Sequence, residues 1–195
     1  MSEVQISSEL ERRLTKIEEK LTKFGAVLEN IAEKLILVPD IERYDNLRNF
    51  LKQQNFKAAD QETTKIMLDV AGEDRDNLSP DDVSKFPCNA LLVIDKLWRK
   101  YSNEHFGFSI QLKLYYDVGG NIDTIRSQDI KVMKKFAQEI GWFDENKDKV
   151  KFDSYDDWNF SLSAPQGCFP AHWWRSPYGL KMVTFFFSRL IACEL

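Results

Sequence analysis

Two histidines, three cysteines and a pair of adjacent aspartates are the side chains here that most readily do chemistry. His105 and His172 could serve as bases or metal ligands. They lie far apart, however, in no metal-binding or triad-type pattern, and HExxH, GxSxG, GxxxxGK[ST] and GxGxxG are all absent. Asp156 and Asp157 adjoin Trp158 in a stretch rich in turn formers. Paired carboxylates do acid–base work when burial drives their pKa values apart, which a polar loop seldom achieves, so they read as a solvated edge. Cys168 follows "APQG" and could be a reactive thiol, but no base stands beside it, and it reads as inert. The residue types point to a non-enzyme with no catalytic residue and no metal site.

The bulk numbers bound the remaining classes. A chain of 195 residues suffices for one well-buried domain plus an appendage. A net charge of −4 argues against a nucleic-acid binder, which would carry a basic face. Cys88, Cys168 and Cys193 are widely spaced and odd in number, which suggests reduced thiols in a cytosolic setting. The start, "MSEVQISSELERRL", lacks the basic-then-apolar order of a signal peptide. The apolar run "MVTFFFSRLIACEL" is too short to span a bilayer and contains Arg189. The expectation is a cytoplasmic protein whose membrane contact is at most peripheral.

The elements that position these residues fall into two parts. Over residues 1–39, Leu10, Leu14, Ile17, Leu21, Phe24, Leu28, Ile31, Leu35 and Val38 alternate steps of four and three, the mark of a coiled coil. With Leu10 at d, Leu14, Leu21, Leu28 and Leu35 fall at a and Ile17, Phe24, Ile31 and Val38 at d, a pattern leaning towards more than two strands; Arg13 at g and Glu18 at the next e could pair between parallel chains. A single amphipathic helix folding back on its own domain is the alternative. Pro39 ends the helix.

Residues 41–195 read as a compact helical domain. Two helices meet near Gln53–Asn55, with Tyr44, Leu47 and Leu51 on one face of the first and Phe56, Ala59, Thr63 and Met67 on one face of the second. Gly72 serves as a C-cap; Ser79 as N-cap and Pro80 as first residue open another helix. A further helix runs from about Pro87 to Tyr101, with Leu91, Ile94, Asp95 and Trp98 along one flank. "FSIQLKLYYDV" is open between helix and strand, and its neighbours favour helix. "SQDIKVMKKFAQEIGW" is a helix capped by Ser127 and stopped at Gly141. The stretch from Phe143 to Gly167 has no sustained period and reads as a long loop, of the kind that carries function.

Of 25 aromatic residues, 21 lie between Phe86 and Phe187. Most must be core, but Tyr155, Trp158, Trp173 and Trp174 lie beside Pro and Gly, where a loop would ordinarily be polar. An apolar, loop-walled cleft with one or two cations suits a flat ligand bearing carboxylates.

The runs "NFKAADQETTKIMLDVAG", "FPCNALLVIDKLWRKYSNEHFGFSIQ", "IGW" and "WNFSLSAPQG" resemble, in order and spacing, the genomes-uncoupled-four family of tetrapyrrole-binding regulators, over residues 47–170. That resemblance implies an all-α fold likened to a cupped hand. It implies no built-in cofactor but a tetrapyrrole ligand (protoporphyrin, magnesium protoporphyrin or a bilin), and stimulation of magnesium chelatase, whose large subunit would be a partner; a signalling protein is another. It places Leu78 and Val83 on one wall of the cleft and Tyr155, Trp158 and Phe160 on the other. Trp98, Asn103, Phe106, Phe108 and Gln111 form the supporting floor, with Gly107 allowing a tight corner. Two departures stand out. Where the family commonly reads Gly-His-Leu-Pro, this chain has Gly167, Cys168, Phe169 and Pro170, and a two-arginine clamp is reduced to Arg175 with Lys181 further on. One propionate salt bridge is then expected. The reading competing with a pigment-binding regulator is an interaction module that keeps the fold without the pigment, with the coil supplying avidity.

Overall fold

The computed structural model describes residues 3–37, 41–72, 78–144, 149–150, 155–174, 178–179 and 181–195. It divides into two compact units, Met1–Ile41 and Glu42–Leu195. The first is built on one long helix, α1 (Glu3–Leu37). Leu14, Ile17, Leu21, Phe24, Val27 and Leu28 each remain 53–65% exposed on it, so the heptad stripe is an open apolar face. Ile31 and Leu35 continue the helix, and their side chains lie outside the described residues.

Among the described residues the second unit is all-α apart from one two-residue ladder. Its helices are α2 (Ile41–Lys52), α3 (Phe56–Ala71), α4 (Pro80–Lys85), α5 (Cys88–Ser102), α6 (Phe108–Asp117), α7 (Ile122–Arg126), α8 (Ile130–Glu139) and α9 (Lys181–Ala192). Strands β1 (Phe143–Asp144) and β2 (Lys149–Val150) pair antiparallel, Phe143 opposite Val150 and Asp144 opposite Lys149. The long stretch from Phe143 therefore opens with a small hairpin, which its mixed composition hid.

Local chemistry sets the boundaries. Asn55 caps α3 by accepting from Ala58 N–H, and Gly72 ends it in the left-handed region at φ 70°. Ser79 and Asp82 form a capping box around Pro80 at the start of α4. Asn103, expected in the supporting floor, ends α5 by taking φ 55° itself. At Gly107 (φ +144°) a Cβ would meet Arg99 Cγ and Asp95 Oδ1 at 2.9 Å, so only glycine turns this corner.

Ser127 does not cap α8. It closes the short, unforeseen α7, Gln128 breaks the helix at φ 52°, and Asp129 caps α8 by accepting from Lys131 and Val132 N–H. "FSIQLKLYYDV" is helical, as α6.

The core is largely aromatic. Trp98, Phe56, Phe106 and Phe169 form one cluster; Tyr115, Phe136, Trp142 and Phe187 form another; Phe108 and Trp173 meet on Phe186. The apolar run near the C-terminus is α9, which packs against α4, α6 and α7 and buries Met182, Val183, Phe186, Phe187 and Leu190. No described helix is long and apolar enough to cross a membrane.

The expectation of three reduced thiols is corrected. Cys88, which opens α5, is disulfide-bonded to Cys193, just beyond α9, with Cα atoms 5.2 Å apart. The packing of α9 on α4 brings together residues 105 positions apart, a proximity that spacing along the chain could not reveal. Cys168 lies outside this disulfide and is buried. Reduction, or replacement of both cysteines by serine, is expected to lower the unfolding free energy by roughly 4–5 kcal/mol, the loop-closure value for a loop of about 100 residues. Urea titrations with and without a dithiol reductant check this, and coincident midpoints would show the pair unbridged in solution.

Candidate functional site

The site is built on the loop over residues 155–172, which is fixed at both ends by one carboxylate. Asp60 lies on the apolar face of α3, between Phe56 and Thr63, and is completely buried. It accepts from the Tyr155 hydroxyl (2.8 Å), from Ala171 N–H (2.7 Å) and from His172 N–H (3.1 Å). His172 adds a contact of 3.1 Å between Nδ1 and Thr64 Oγ1. Burial pushes the Asp60 carboxyl up to about 6, against the pull of these donors. Burial likewise raises the Tyr155 phenol, with the Asp60 charge adding to it.

The middle of the loop is clasped by the corner at residues 103–107 and by α6. Gly107 N–H donates to Phe169 O (3.0 Å) and Gly167 N–H to His105 O (2.9 Å). His105 Nε2 lies 2.8 Å from Ala164 O. Gln111 Nε2 donates to both Gly167 O and Pro170 O at 2.9 Å, spanning the cis Phe169–Pro170 bond. Trp142 Nε1 donates to Cys168 O (2.7 Å). The corner is thus a structural support, and both histidines are held by backbone or hydroxyl groups.

These bonds present a layered aromatic surface. Phe169 stacks on Trp98 at 6.2 Å and on Phe160 at 5.3 Å, and meets Phe106 edge-on at 5.2 Å. Trp158 tilts over Phe169 at 6.3 Å and over Tyr155 at 5.4 Å. Trp158 and Phe160 stay half-buried. Beside them a cavity of about 230 Å³ is lined by Trp158, Asp157, Asn159, Ala164, Pro165 and Cys168, among others.

Of the expected ligand residues, Trp158 and Phe160 offer surface. Tyr155 is 4% exposed, its hydroxyl spent on Asp60, so it supports the loop more than it lines a cleft. Leu78 and Val83 are 1% and 0% exposed, Leu78 just before α4 and Val83 within it, so both lie in the core. Arg175 lies outside the described residues. Trp98, Phe106, Phe108 and Gln111, expected as the supporting floor, are all buried. Asp156 is solvated and paired with Lys57 at 2.7 Å. Among the described residues no cluster of His, Cys, Asp or Glu could hold a metal ion. Sequence reasoning missed Asp60, though an acid within the stripe Phe56, Ala59, Thr63, Met67 was the available signal.

The result is a helical domain that fixes a long loop at its ends and middle and leaves two aromatic rings half exposed on it. The GUN4-like family model matches residues 39–182, and the chain belongs to that family. It is 36% identical over 78 residues to the tetrapyrrole-binding protein, chloroplastic, of Arabidopsis thaliana, covering 38% of this chain and 29% of that one. It is 30% identical over 131 residues to an uncharacterised ycf53 protein of Cyanidium caldarium, covering 66% and 50%. The ligand-free structure of Arabidopsis GUN4 superposes with a TM-score of 0.58 at 25% identity, over 75% of this chain and 91% of that chain. GUN4 from Chlamydomonas reinhardtii gives 0.57 at 22% identity, over 74% and 86%. The chain spans about half or less of the curated relatives it matches.

The raised Asp60 pKa has a definite sign in stability. The folded chain holds this proton to higher pH than the unfolded chain, so the contribution is full below about 4 and lost as pH rises through about 6. Relative to Asp60→Asn, the wild type should lose about 2 kcal/mol between pH 4 and 7. Urea unfolding of both proteins across that range checks it. A difference growing in the opposite direction would mean that the donors outweigh burial.

Proposed function

We propose that this chain is a non-enzymatic tetrapyrrole-binding regulator that takes protoporphyrin, magnesium protoporphyrin or a bilin against Trp158 and Phe160. One observation carries the reading: two large rings stay half in water on a loop whose backbone is fixed at its ends and middle. Covering such rings with a flat apolar ligand recovers buried area without the cost of ordering the loop. The family and the named Arabidopsis relative support the same ligand class. The cavity beside Trp158 is smaller than the roughly 300–1,000 Å³ of enclosed small-molecule sites, so a macrocycle would enter by one edge and leave its carboxylates near the rim.

The finer reading follows the family. The loaded protein would modulate magnesium chelatase through its large subunit, or pass a pigment signal to another protein, in a cytoplasmic or plastid-type compartment. The open heptad face of α1 would pair with further copies of the chain into a parallel bundle of more than two strands, with Arg13 and Glu18 in register.

Titration with protoporphyrin, magnesium protoporphyrin and a linear bilin, followed by tryptophan emission, tests the first claim. Saturable quenching at about one pigment per chain is expected, weakened about tenfold by Trp158→Ala. No saturable response to any of the three would overturn the reading in favour of a pigment-free interaction module.

Light scattering tests the second. The chain is expected at three or four protomers, and Leu21→Asp with Phe24→Asp should yield monomers of unchanged helical content apart from α1. A monomeric wild type would dismiss the coil.

A further inference from the structure

The geometry points to Lys57 as the cation that takes a ligand carboxylate, with Asp156 as the internal carboxylate it exchanges. This rests on the tetrapyrrole reading above and adds a residue to that site. Lys57 lies in the first turn of α3. Its Nζ is 2.7 Å from Asp156 Oδ1 and 5.4 Å from the centre of the Phe160 ring. The ammonium therefore sits at the edge of the surface a flat ligand would cover, where a propionate on the macrocycle rim would fall.

The position is pre-set by the backbone. Asp60 follows Lys57 by three residues and shares its side of the helix, and Asp60 holds Tyr155, the neighbour of Asp156. The helix and the loop are thus locked together beside the ion pair, and the pair is not what locks them. The Asp156 side chain is 84% exposed and that of Lys57 39%, so their attraction is screened and contributes little to folding. A carboxylate arriving with an apolar ring is different. It brings its own desolvating surface, strengthening the charge-assisted bond to the ammonium while Phe160 retains the cation over its face. Exchanging one carboxylate for another leaves no charge unpaired, since Asp156 returns to water.

The experiment titrates wild type, Lys57→Met, Lys57→Arg and Asp156→Asn with protoporphyrin and with its dimethyl ester, which lacks the carboxylates. Lys57→Met should weaken protoporphyrin about tenfold and leave the diester unchanged, and Lys57→Arg should retain most of the affinity. Asp156→Asn should tighten protoporphyrin several-fold, because an internal competitor is gone, again with no effect on the diester. A merely structural role for the pair would weaken both ligands in both variants. Wild-type binding of both ligands that neither Lys57→Met nor Asp156→Asn alters would overturn the assignment of Lys57 alone. Failure of the wild type to bind either would overturn the tetrapyrrole reading with it.

Discussion

The carboxylate of Asp60 is the interaction on which the rest of the site depends. A charge carried fully out of water is tolerated only when its oxygens accept several well-placed bonds, and those of Asp60 accept from Tyr155, Ala171 and His172. The donors come from the two ends of one loop. A segment of that length would otherwise run free over the surface; here its ends are drawn to one point on α3. What lies between must bulge outward, and Phe169 is driven inward as the wedge that fills the space beneath.

From that constraint follows the apolar character of the surface. The polar handles of the floor are turned away from it: Trp98 Nε1 donates to Thr63, Trp142 Nε1 to a backbone carbonyl, and Gln111 to two others. The rings then meet one another by their faces and edges. Among the described residues only the Trp173 indole N–H is buried without a partner, and it lies against Phe108 and Phe186. Asp95, also buried, does for α6 what Asp60 does for the loop, accepting from Ser109 N–H and hydroxyl at the Gly107 corner; burial raises its pKa against those bonds.

How much of this could be read beforehand depended on the range of the interaction. Caps act over three or four residues, and so Ser79 and Gly72 announced themselves. Ser127 misled because two cap-forming residues, Ser127 and Asp129, stand two apart, and only the left-handed Gln128 between them decides which helix each serves. Apolar periodicity found the buried faces of α2, α3 and α5. It could not place the cleft; Leu78 and Val83 entered its wall only through the family resemblance, and both are buried in this structure. The clasp of the loop by Asp60 and Gln111 joins residues more than fifty positions apart, and no local pattern encodes it.

The bond between Cys88 and Cys193 makes the stretch from α5 to α9 a closed covalent ring. The site straddles that ring: Trp158, Phe160 and Phe169 belong to it, whereas α3 with Lys57 and Asp60 lies on the open arm of chain leading in. A single backbone cut inside the ring, even in the loop itself, leaves every fragment on one molecule until a reductant opens the sulfur link. A cut between α3 and α5 parts the two halves of the site at once, leaving them joined by hydrogen bonds and packing alone.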